Sequence, residues 1–89
     1  MFLYNFKIKD VKIEMGLLIK ALRKSERLSQ QQLAEKLDLS RITIQNIESG
    51  KNFTIDTLLI VLEYFNQLNA FNEFIKNKIE ENKQIKSLY

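Results

Sequence analysis

Hydrophobic positions recur along most of this chain at steps of three and four, the spacing of a helix with one buried face. Met15, Leu18, Ile19 and Leu22 form the first such stripe, widened by Leu17 and Ala21. They predict a helix through Arg27 that starts between Asp10 and Ile13. Gly16 sits inside it at a cost of about 1 kcal/mol relative to alanine. Leu28-Ser29 interrupts the pattern, and Ser29 is suited to cap a second helix, Gln30 to about Leu37, with Leu33, Ala34 and Leu37 inward. Asp38-Leu39 leaves room only for a tight turn. Ser40 offers another cap for a third helix, Arg41 to about Ser49, with Ile44 and Ile47 inward and Gly50 in place to end it. Thr54 can cap a fourth helix, Ile55 to about Asn66, and a fifth is predicted from Ala70 to Asn82, striped by Phe71, Phe74, Ile75 and Ile79. The first residues differ. Phe2, Tyr4, Phe6 and Ile8 alternate with Leu3, Asn5, Lys7 and Lys9, which is a strand period. Such a segment either pairs with its twin in a dimer, covers a groove, or stays disordered.

The expected architecture is therefore all-α, five helices with a short N-terminal strand as the one open question. It divides into an N-terminal extension (1–12), a central domain (13–68), and a C-terminal helix and tail (69–89). On the fourth helix Ile55, Leu58, Leu59, Leu62 and Phe65 make one apolar face, while Ile60, Val61 and Tyr64 point elsewhere. A helix apolar on nearly all sides is covered on nearly all sides. With Phe71, Phe74 and Ile75 of the fifth helix, Ile60, Val61 and Tyr64 are the expected dimer or partner interface.

Composition narrows the chemistry. The 89 residues contain no cysteine and no histidine, so the usual metal ligands and the usual general base are both missing. No glycine-rich phosphate loop and no convergent carboxylate pair is visible, and an enzyme is not expected. No metal and no cofactor is expected either. No apolar run approaches the ~20 residues of a membrane span, and no secretory signal is apparent, which reads as a cytoplasmic protein. The charge is uneven: residues 1–52 hold ten Lys/Arg against six Asp/Glu, residues 53–89 four against five. A basic half suits contact with a polyanion, although a solvated surface shows similar asymmetry.

The segment from Ser29 to Lys51, SQQQLAEKLDLSRITIQNIESGK, carries the functional signal. Two short helices joined by so brief a turn cross steeply and need a small residue at the crossing, a position Ala34 fills. Packing alone would admit any helical hairpin. The third helix, however, turns Arg41, Ile42, Gln45 and Asn46 outward, and these side chains suit base edges of a major groove. The stretch from Glu14 to Leu68 resembles the Cro/CI-type (XRE) helix-turn-helix, the lambda-repressor-like fold. The match rests on Gly16, Ile19, Leu22 and Arg23, on Ser29-Gln30, Leu33-Ala34, Ser40, Ile44, Ile47-Glu48 and Gly50-Lys51, and on Thr57-Leu58.

That resemblance implies double-stranded DNA as the partner and a homodimer on a palindromic operator, as a repressor or autoregulator. It implies base contacts by Arg41, Ile42, Gln45 and Asn46, and phosphate contacts by Gln30, Thr43, Lys51 and Asn52. Arg23 and Glu48 match a pair that links the first and third helices in the family. Asp38 stands where the family favours glycine, and Phe53 where proline is frequent. Asp tolerates the left-handed conformation better than most residues, so the turn is expected to survive. A HipB-like antitoxin, which binds a partner toxin and represses its own operon, is the second reading, with Phe2–Ile8 and the tail Ile85–Tyr89 as candidate toxin-binding segments. Lys20, Lys24 and Arg27 fit a solvated face as well as they fit phosphate contact, and Lys76, Lys78, Lys83 and Lys86 alternate with Glu73, Glu80 and Glu81 as a solvated surface does.

Overall fold

The computed structural model describes residues 5–87. Five helices follow in order: α1 (Ile8–Ser25), α2 (Gln30–Leu37), α3 (Arg41–Glu48), α4 (Ile55–Tyr64) and α5 (Leu68–Ser87). No strand occurs among the described residues. Of the alternating N-terminal segment, Ile8 belongs to α1, while Phe2, Leu3 and Tyr4 lie outside the described residues, as do Leu88 and Tyr89 of the tail.

Polar side chains start three of the helices. Ser29 Oγ accepts from Gln32 N at 3.0 Å while Gln32 Oε1 accepts from Ser29 N at 2.8 Å, a reciprocal capping box. Ser40 Oγ accepts from Thr43 N, and Thr54 Oγ1 from Thr57 N. α1 begins earlier than its stripe predicts. The Asp10 carboxylate accepts from Lys7 N at 2.9 Å, and its negative charge sits in the first turn, where the helix dipole favours it.

The first four helices end alike. In each, a left-handed residue follows the last turn: Arg27 (φ 58°), Asp38 (φ 57°), Gly50 (φ 76°) and Asn66 (φ 60°). The next residue then donates its N–H back to the helix: Leu28 to Arg23 O, Leu39 to Ala34 O, Lys51 to Asn46 O and Gln67 to Leu62 O, at 2.8–3.2 Å. This is the Schellman arrangement, which satisfies carbonyls that a helix end otherwise leaves open. Asn66 therefore terminates α4 at Tyr64, short of the predicted end, and α5 starts at Leu68 rather than Ala70.

The core comprises Ile19, Leu33, Ala34, Ile44, Ile47, Leu58, Val61, Leu62 and Phe65. α3 packs against both α1 and α2, and α4 against α2 and α5. Two expectations for α4 are corrected. Val61 is fully buried, so it belongs to the monomer's own core and is not available to a partner. Ile55, read as part of the main apolar face of this helix, is 60% exposed, and with Leu59 it faces a shallow groove toward α5. The inward arc is thus centred on Leu58, Val61, Leu62 and Phe65, rotated from the face read off the sequence. α4 is apolar nearly all round, so periodicity alone did not fix which arc faces α2.

Candidate nucleic-acid interface

The α2–α3 unit places one face of a short helix at the surface. Successive residues of a helix turn by 100°, so Arg41, Ile42, Gln45 and Asn46 share one arc while Ile44 and Ile47 share the opposite one. Ile44 and Ile47 are fully buried. Arg41 and Ile42 are exposed, Ile42 to 66%, and Gln45 and Asn46 are half-buried. Burial of the two isoleucines sets the rotation of α3, and that rotation aims the four outward side chains.

An ion pair fixes the angle of this helix against the rest of the protein. Arg23 Nε meets Glu48 Oε2 at 2.6 Å and Nη2 meets Oε1 at 3.0 Å, with the side chains 9% and 4% exposed. Arg23 Nη1 also donates to Leu28 O at 2.7 Å, and Gln30 Nε2 donates to Glu48 Oε1 at 3.0 Å. One carboxylate on α3 thereby joins α1, the α1–α2 turn and α2. The hydrogen bond to Glu48 holds the Arg23 guanidinium above its ordinary pKa, against the opposing effect of burial. Glu48 is turned inward on its own helix and spends its charge on Arg23.

The residues expected at phosphates are distributed as follows. Gln30 has its amide nitrogen on Glu48. The Thr43 hydroxyl is shared with Ser40 Oγ at 2.8 Å. Lys51 is exposed just past the end of α3, and Asn52 accepts from Lys12 Nζ. Gln30, Gln45, Asn46 and Lys51 line one shallow depression together with Glu48, Ser49 and Lys20. Arg41 and Ile42 lie a turn away, at the start of α3.

Three residues of α1 acquire positions here that periodicity did not assign. Gly16 is buried where α1 meets the end of α3, and a Cβ there would stand 2.6 Å from both Ile47 O and Glu48 O. Lys12 and Lys20 lie one turn to either side of it. Their spacing, Lys12-Gly16-Lys20 at steps of four, is the available signal, since it places all three along one line of the helix.

Of the residues expected at a dimer interface, those of α5 lie along two adjoining apolar grooves that share Phe71. Phe71 and Phe74 line an apolar groove between α1 and α5 with Val11, Met15 and Leu18. Ile75 faces the α4–α5 groove. Ile60 and Tyr64 line neither.

A short helix held by a buried ion pair, preceded by a capped helix and a left-handed turn, defines a helix-turn-helix DNA-binding domain. The helix-turn-helix family matches residues 19–69, and the chain belongs to it, with the XRE-type arrangement of Cro and CI proteins. The protein is thus a DNA-binding transcription regulator at the level of its family. No curated protein matches the chain. Among the described residues no helix is long and apolar enough to cross a membrane.

Proposed function

We propose that this protein is a non-enzymatic, sequence-specific repressor or autoregulator, acting in the cytoplasm as a homodimer on a palindromic operator. The observation that carries the reading is the division of α3, with Ile44 and Ile47 fully buried and Arg41, Ile42, Gln45 and Asn46 on the outward arc. An α-helix fits the major groove, where arginine pairs with guanine O6/N7, glutamine or asparagine with adenine N6/N7, and an aliphatic side chain meets a thymine methyl. Gln30, Thr43, Lys51 and Asn52 are assigned to the flanking phosphates, which set register without carrying sequence information.

One such unit covers half an operator, and a two-fold dimer presents two reading helices ~34 Å apart. The exposed apolar side chains of α5 support that assembly. Phe74, Ile75 and Ile79 are 57%, 41% and 49% exposed in the monomer, and they join Phe71, Ile60 and Tyr64 as the proposed contact. A toxin is the competing occupant, and isolation of an equimolar complex with a second protein in place of the dimer would favour the antitoxin reading.

Selection from random duplexes followed by fluorescence anisotropy tests the base-reading assignment. Arg41→Ala and Asn46→Ala should each weaken the selected site by about 1–3 kcal/mol while leaving a scrambled duplex nearly unaffected. Equal losses on both duplexes, or a selection that returns no motif, would remove the assignment.

A further inference from the structure

Of the lysines on α1, Lys12 and Lys20 are the two that lie one turn to either side of Gly16, along one line of the helix. Both flank Gly16, and the missing side chain of Gly16 is what lets the end of α3 come so close to α1. Lys12 reaches the loop after α3, where its amine donates to Asn52 Oδ1. Lys20 lines the depression that also holds Gln30, Gln45, Asn46 and Lys51. Neither lysine has an ion-pair partner among the described residues. The one carboxylate in that lining, Glu48, is neutralised by Arg23.

Lysines beside a helix C-terminus can serve merely to offset its dipole. Here that end is already closed. Gln45 O accepts from Ser49 N, Asn46 O from Lys51 N, and Ile47 O from Gly50 N. Lys12 meets the residue next to Lys51, and Lys20 lines the same depression as Lys51. Lys20 and Lys51 therefore border α3 in a depression with no free carboxylate, and Lys12 sits at the loop that follows it.

We propose that Lys12 and Lys20 bind non-bridging oxygens of DNA backbone phosphates, so that the Gly16 line of α1 forms one flank of the duplex-binding surface. The inference rests on the DNA-reading function proposed above and deepens it by adding two ligands from a helix outside the helix-turn-helix. Phosphate contacts strengthen selected and random sequences alike. Their signature is the salt dependence of binding, whose log–log slope on B-form DNA falls by ~0.9 for each phosphate that the protein no longer neutralises.

The test uses the full-length protein with Lys12→Gln, Lys20→Gln and the double substitution. Anisotropy titrations on a selected and a scrambled duplex are run from about 50 to 200 mM salt, with thermal melting alongside. Each single variant is expected to lower the slope by ~0.9 per bound chain and the double variant by about twice that. The preference for the selected site should be retained, and the melting temperature of the Lys20 variant should not move. Lys76→Gln, an exposed lysine on α5, serves as the control and should keep the wild-type slope. A double variant with the wild-type slope overturns the proposal, and so does a lowered melting temperature with an unchanged slope. A wild-type protein that binds neither duplex would instead overturn the DNA-reading function itself, so the two failures are distinguishable.

Discussion

Arg23 and Glu48 put opposite charges where almost no water reaches them, and at the scale of single residues that pair is costly to disturb. Removing one partner strands the other. Glu48→Ala would leave Arg23 with only Leu28 O and would deprive the Gln30 amide of its acceptor. It is expected to destabilise the fold by about 3 kcal/mol or more, read as a lower urea midpoint. The apolar double variant Arg23→Met with Glu48→Leu should recover most of that loss, because no charge remains unpaired. A single-variant loss below ~1 kcal/mol would place the pair among solvated bridges. The raised pKa of Arg23 has a defined sign. A base raised on folding contributes its stability in full below its unfolded pKa, and loses it only as pH climbs through the folded one. Both values lie far above neutrality, so Arg23 should add no slope to stability between about pH 5 and 9.

Element ends and crossings carry the next set of expectations. On helix propensity alone Gly16→Ala would gain about 1 kcal/mol. The contact geometry reverses the sign, since the new Cβ meets two backbone carbonyl oxygens at 2.6 Å and backbone cannot rotate aside as a flexible side chain can. A net loss of about 1–3 kcal/mol is expected by thermal or urea denaturation. Arg27 presents the opposite case. It occupies the left-handed position after α1, where an L-residue costs roughly 1–2 kcal/mol that glycine avoids. After glycine's larger unfolded-state entropy is counted, Arg27→Gly should stabilise by about 0.5–1 kcal/mol. The same change at Asp38 or Asn66 should gain less, because those side chains already tolerate the conformation. A melting temperature that falls on Arg27→Gly would contradict this ranking.

For the molecule as a whole, α5 decides the shape. The protein measures 52 × 27 × 22 Å, and from Asn72 to Lys83 every residue of α5 is exposed. A 20-residue helix with Phe74, Ile75 and Ile79 open to solvent has too little of its own protein to cover it. Phe74→Lys combined with Ile79→Lys is expected to convert a dimer to a monomer in sedimentation equilibrium at micromolar concentration. The helical signal should persist, because neither side chain is in the monomer core. A wild-type protein that is monomeric under those conditions would sink the dimer and leave the reading helix intact.

Much of this was legible one-dimensionally because it depends on near neighbours. Ser29, Ser40 and Thr54 cap helices through bonds only three residues long, and Gly50 ends α3 through a φ that glycine adopts freely. Ile44 and Ile47 read as inward because they share one side of α3, while Arg41, Gln45 and Asn46 make the opposite side polar around the single aliphatic Ile42. Legibility ended where two elements compete for the same face. Val61 and Ile55 are both aliphatic on a helix apolar nearly all round, and only the packing of α4 against α2 and α5 selected which one to bury. Arg27 carries no local preference for its left-handed φ; the conformation follows from the requirement that Leu28 return to the core. Lys12, Gly16 and Lys20 acquired their positions from the approach of a helix distant in the chain, a meeting that periodicity along α1 does not encode.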